Sequence, residues 1–130
     1  MPVHACTTFF TFARMHIEQL RDYCLGKPAV TEGFPFGPDT LVFKVKGKVF
    51  LLAGLDQQPC SFNAKCNPDY ALELREQYPG AVSGAYHMNK KHWNTVVCDG
   101  QLTNERLLAL VDHSYRLVVA GLPKKDRESL

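Results

Sequence analysis

Nine consecutive residues, Tyr86-His87-Met88-Asn89-Lys90-Lys91-His92-Trp93-Asn94, gather two lysines, two histidines, two asparagines, a tyrosine and the chain's only tryptophan, with no acid among them. The whole chain carries a formal net charge of only +2, so this segment is far more basic than its surroundings. The mixture suits an anionic partner that also has flat rings. Ammonium groups meet phosphates, side-chain amides pair with base edges, and aromatic faces stack on bases. The competing structural reading is a solvated turn whose Trp93 buries its ring in the core, because runs of charge are commonly just exposed faces.

Three further residues can join such a site. Lys65 stands just before Asn67-Pro68, where a helix should begin, so its ammonium can sit beside a helix N-terminus and hold a phosphate. The alternative is an ordinary surface lysine next to a capped helix. Phe34 and Phe36 flank Pro35 and can offer stacking platforms, although aromatics in that setting more often pack inside.

Catalysis finds little support. There is no G-x-S-x-G, H-E-x-x-H or P-loop string, so no catalytic residue is assigned. A Cys98 nucleophile with His92 as its base needs a proximity that only folding can supply. The five cysteines (Cys6, Cys24, Cys60, Cys66 and Cys98) form no C-x-x-C pair. Cys60 and Cys66 with His87 or His92 match no zinc spacing, so neither metal nor cofactor is expected. An odd thiol count without a secretory signal points to reduced cysteines and a cytoplasmic protein.

The elements that must carry these residues fit one domain. At 130 residues the chain can bury about two-thirds of its unfolded surface. Its 45% hydrophobic and 22% charged content is that of a soluble globule, and no apolar run is long enough to span a membrane. A pI of 8.3 limits any nucleic-acid affinity to one local patch. Residues 1–14 lack both a basic n-region and a clean period, so they read as a poorly ordered extension rather than a signal peptide. The domain then covers 15–125 and the tail 126–130.

Ile17, Leu20 and Cys24 recur at helical spacing over His16–Leu25, with Gly26 and Pro28 as terminators. Ala29–Phe36 reads as extended. Leu41–Val45 and Lys48–Leu52 flank Lys46-Gly47 as a two-residue hairpin, in a register that sets Phe43 against Phe50 and Leu41 against Leu52. Ser61–Cys66 is a third strand, with Phe62 and Ala64 on one side and Asn63 and Lys65 on the other. Asn67 caps a second helix that runs to about Tyr78. Two short strands, 81–88 and 94–98, bracket the basic segment. Thr103 caps a third helix whose buried stripe is Leu107, Val111, Tyr115, Val118 and Leu122. The class is α+β, with helices packed on an antiparallel sheet.

Several strings in this order resemble the MmcQ/YjbR family of small bacterial proteins: LRDYCLGKPAVTE, FPFG, DTLVFKVKGKVFLL, KCNPDYALELREQYPG, HMNKKHWNTV and DHSYRLVV. The resemblance runs from Met15 to about Lys125. It implies a CyaY-like fold, also described as a double-wing architecture, and a DNA-binding function. Its most characteristic positions here are Phe34–Gly37, Lys65, Pro68 and Asn89–Asn94. A frataxin-like fold also raises iron binding, but the first helix offers only Glu18 and Asp22 as acids, too few for a hard cation. The rival function is a protein-interaction or small-ligand module using the same groove, with Phe34, Phe36 and Trp93 as anchors and lysines as a rim.

The cysteine reading carries its own test. All five thiols should titrate under denaturing, non-oxidising conditions, and elemental analysis should find no stoichiometric metal. About one zinc or iron per chain would overturn it.

Overall fold

Lys46 and Gly47 have φ of +50° and +82°, the paired left-handed conformations that a two-residue hairpin turn requires. Around that turn, the computed structural model describes residues 15–85 and 88–130. The elements are α1 (Ile17–Leu25), β1 (Val30–Gly33), β2 (Thr40–Val45), β3 (Lys48–Gly54), β4 (Ser61–Lys65), α2 (Pro68–Gln77), β5 (Val82–Gly84), β6 (Trp93–Val97), α3 (Asn104–Ala120) and α4 (Lys124–Glu128). The six strands form one antiparallel sheet in the order β1-β2-β3-β4-β6-β5. Helix α3 packs on β3 and β4, α1 beside β1, and α2 beside β5. These helices share one face of the sheet, which is the expected α+β class. The expected extension over 1–14 lies outside the described residues, while Met15 is buried in the core.

The helix boundaries follow their capping chemistry. Asn67 Oδ1 accepts from the backbone N–H groups of Asp69 and Tyr70, with Pro68 at the first helical position. Thr103 Oγ1 accepts from the Arg106 N–H at 3.2 Å. In α3, Leu107, Val111 and Val118 are buried as the helical period predicts, and Leu110 and Ser114 join them. Tyr115 is only partly buried, edge-on to Phe50 with ring centroids 5.4 Å apart. Between α1 and α3, Asp112 accepts from the Tyr23 hydroxyl and pairs with Lys27. Burial opposes ionisation of Asp112, but the hydrogen bonds from Lys27 and Tyr23 outweigh it and hold the carboxyl below its ordinary range.

Four features differ from the sequence expectation. The extended stretch after α1 is a true edge strand, β1, paired along β2. The fifth strand is only three residues long. The chain end forms the short exposed helix α4. The hairpin register holds for Lys44↔Val49 but shifts beyond it, giving Phe43↔Leu51, Val42↔Leu52 and Leu41↔Ala53. Phe50 is thus the extra residue of a β-bulge, and it faces the core together with Leu51. The consequence reaches the other side of the sheet, where Leu52 now lies beside Val42 rather than in the core. An unbroken apolar run, VFLLA, gives alternation nothing with which to detect such a slip.

Where this bulge ends the β3–β4 ladder, α3 supplies the missing partners. Leu51 pairs with Ala64, so Phe50 and Lys65 come next, but their backbone groups meet Ser114 instead. Its hydroxyl donates to the Phe50 carbonyl and accepts from the Lys65 N–H at 2.8 Å. Ser114→Ala strands both groups in the interior, and each unsatisfied buried group costs about 1–3 kcal/mol. Urea unfolding should therefore show a loss of at least about 2 kcal/mol. A change within about 0.5 kcal/mol would mean that other groups satisfy them.

Candidate nucleic-acid interface

Strand alternation divides the sheet into two unlike faces. On one side Phe43, Leu51, Phe62, Ala64 and Val96 meet the helices as the core. On the other, a cross-strand row runs Gly33, Val42, Leu52, Asn63, Thr95 and Ser83, with no helix of the described residues above it, although Val42 is buried. Thr95 Oγ1 donates to Asn63 Oδ1 at 2.6 Å across this row. One row further along, Lys65 pairs directly with Trp93, and Lys44 with Val49. No strand position on this face is Asp or Glu. Its charges are Lys44 and Lys65, with Lys46 and Lys48 at the adjoining hairpin tip.

The turn that follows β5 is held at the edge of the sheet by bonds from the helical side. Tyr86 and His87 lie outside the described residues. From Met88 onward the chain makes a tight turn: Asn89 Oδ1 accepts from the Lys91 N–H, and the Asn89 carbonyl from those of His92 and Trp93. Arg75 of α2 clamps the turn, bonding the Lys90 carbonyl and, at 2.9 Å, Asn94 Oδ1. Lys90 and Lys91 are exposed, while His92 and Trp93 are half-buried.

The sequence-selected residues therefore separate. Lys65 and Trp93 come together at one end of the open face, with Lys91 and His92 in the adjoining turn, whereas the Lys90 side chain packs beside Gly84 and Arg75 on the helical side. Asn89 shapes the turn. Asn94 drops out as a base contact: it is 2% exposed, and its amide is committed to Arg75 and the Ala71 carbonyl. Trp93 is mostly buried, as expected of its ring, but part of it stays accessible. Lys65 does not join the N-terminus of α2, because alternation turns its side chain away from the helical layer. That N-terminus is occupied by Asn67 and Asp69 instead. Phe34 and Phe36 are not core residues: they are 50% and 67% exposed. Phe36 and Met88 form walls of a groove of about 540 Å³ over Leu52, Asn63 and Thr95.

Reasoning from sequence missed Arg75, whose only signal was its basic character on an otherwise acidic helix. It also missed the Asn63–Thr95 floor, which depends on strand order. The Cys98–His92 pair does not assemble, since the two lie at opposite ends of β6, roughly 20 Å apart along an extended strand. Hydrogen bonding to Cys60, then burial, raises the Cys98 thiol pKa. Burial pushes Cys66 up to about 11 despite nearby Arg75. Neither is a reactive thiolate at neutral pH. Among the described residues, no group of three or more His, Cys, Asp or Glu can hold a metal ion, and no helix is long and apolar enough to cross a membrane.

Residues 25–117 match the YjbR family model. The chain belongs to the YjbR family. It is 37% identical over 111 residues to YbdF of Escherichia coli O157:H7, covering 85% of this chain and 90% of that protein. It is 32% identical over 116 residues to YjbR of E. coli K12, covering 89% and 98%. Among solved structures it is similar to Deinococcus radiodurans DR2400, a DUF419 domain, with TM-score 0.84, 37% identity and coverage of 89% and 88%. A Pseudomonas syringae protein follows at TM-score 0.67 and 27% identity, covering 79% of this chain and 98% of that one.

In this YjbR-family chain the scaffold and the surface of the turn should respond differently to substitution. Asn94→Ala leaves Arg75 short of a partner in a buried site, so a loss of about 1–3 kcal/mol is expected in urea unfolding. Lys91→Ala should stay within about 0.5 kcal/mol of the parent. Equal losses for the two would refute this division.

Proposed function

We propose that this protein binds nucleic acid, weakly and with little sequence preference, on the face of its sheet opposite α1, α2 and α3. The observation that carries the reading is the pairing of Lys65 with Trp93 on a face whose strand positions bear no acid, beside a turn presenting Lys90 and Lys91. Lysines supply sequence-independent attraction to phosphate, and the accessible part of the indole supplies a surface on which any base can stack. Nothing in this arrangement calls for catalysis, a cofactor or a membrane. Four free cysteines among the described residues go with a cytoplasmic location. The DNA-binding function that the MmcQ/YjbR resemblance implies agrees with this reading and favours DNA as the partner.

A nonspecific dissociation constant of roughly 10⁻⁴ to 10⁻⁶ M at physiological salt is the expected scale. Replacing Lys90 and Lys91 together with alanine removes up to two phosphate contacts. The log–log salt slope should flatten by about 1.8 on duplex DNA or about 1.4 on single strands. Fluorescence anisotropy across a salt series measures it. An unchanged affinity and slope would place the site elsewhere, and a salt-insensitive affinity for a protein would favour the interaction-module reading.

A further inference from the structure

We propose that the open face takes single strands in preference to duplex, with one unstacked base held in the groove between Phe36, Leu52 and Met88. This rests on the nucleic-acid reading above and names the form of its ligand.

The first argument is steric. Six strands spaced about 4.8 Å apart make a face roughly 24 Å across, whereas the major groove is about 12 Å wide and admits only a helix or a two-stranded ribbon. A duplex laid on this sheet can therefore offer it only backbone. A single strand can turn its bases toward the sheet and its phosphates toward the lysines.

The second argument is the chemistry of the groove. Its floor is the Asn63–Thr95 hydrogen bond, which uses one lone pair of Asn63 Oδ1 and leaves the amide N–H groups to meet a base edge. Its walls mix apolar Phe36, Leu52 and Met88 with polar Thr40, Gln57 and Ser61, and Phe36, 67% exposed, stands at the rim. Three of the five exposed large hydrophobics among the described residues, Phe34, Phe36 and Leu55, occupy loops at this end of the face, tied by the 2.8 Å bond from the Leu55 N–H to the Asp39 carbonyl. Lys65 is two residues along β4 from Asn63, roughly 6.6 Å, so a base in the groove brings its backbone toward that ammonium. Asp39 and Asp56 lie in these same loops at the groove end, away from Lys65. The charge across the face therefore sets where the phosphates run: toward Lys65 and the 90–91 turn.

Trp93, the only tryptophan, provides an internal probe. Its emission and the anisotropy of labelled oligothymidylate about 16 nucleotides long should be followed against a duplex of equal length, with oligouridylate as the arm separating DNA from RNA. Single strands are expected to bind at least about tenfold more tightly than duplex and to quench Trp93. Phe36→Ala, at an exposed position, should keep the fold by circular dichroism. It should weaken single-strand binding about tenfold without altering the salt slope or duplex binding. Duplex binding as tight as single-strand binding, with the Lys90/Lys91 slope change intact, would sink this inference and leave the general reading standing. The same holds if Phe36→Ala binds single strands as the parent does. Binding to no oligonucleotide, or only to a protein partner, would sink both.

Discussion

The Ser114 hydroxyl joins the two layers of this protein at the point where the sheet cannot satisfy itself. The bulge at Phe50 puts two consecutive large side chains into the core and ends the β3–β4 ladder early. One hydroxyl, fully buried on α3, then serves the Phe50 carbonyl and the Lys65 N–H at once. Buried backbone groups must find partners, so the bulge, the seating of α3 and the backbone carrying Lys65 depend on one another. The side chain of that same Lys65 emerges on the opposite face beside Trp93. A bond in the core thus fixes where the candidate site puts its charge.

Charge is sorted between the two faces by pairing. Two acids on the helical side are engaged: Asp112 by Lys27 and Tyr23, and Glu32 by Arg21. On the opposite face Lys44 pairs with Thr31 and Val49, and Lys65 with Trp93, with no strand acid beside them. A net charge of +2 therefore understates what a ligand approaching the open sheet would meet. The 86–94 segment follows the same economy of roles. Arg75, Asn89 and Asn94 use their hydrogen bonds to shape the turn, and that leaves the lysines exposed on a defined scaffold rather than on a loose run of charge.

Much of the fold was legible because its signals are local. Asn67-Pro68 and Thr103 start helices by satisfying N–H groups two and three residues away, and Lys46-Gly47 turns the chain by its own backbone preference. The Phe62/Ala64 against Asn63/Lys65 division of β4 held because that strand alternates cleanly. Where alternation was absent, in VFLLA, the register slipped by one residue and moved Leu52 to the open face. β1 escaped notice as a strand because its four residues carry little apolar signal and depend on β2 for their order.

The candidate site was legible in composition but not in arrangement. By itself, the sequence determined the residue types, the caps and turns, and the concentration of lysine, histidine and tryptophan in one acid-free stretch. Only the tertiary structure decided that Asn94 is buried scaffold, that Phe34 and Phe36 are exposed, and that Lys65 stands beside Trp93 rather than at a helix N-terminus. The physical reason is range: caps and turns close over two to four residues, whereas Lys65 and Trp93 meet through a strand pairing across 28 positions of chain. Which face of the sheet the helices cover is then set by packing, in which every buried group must find its partner.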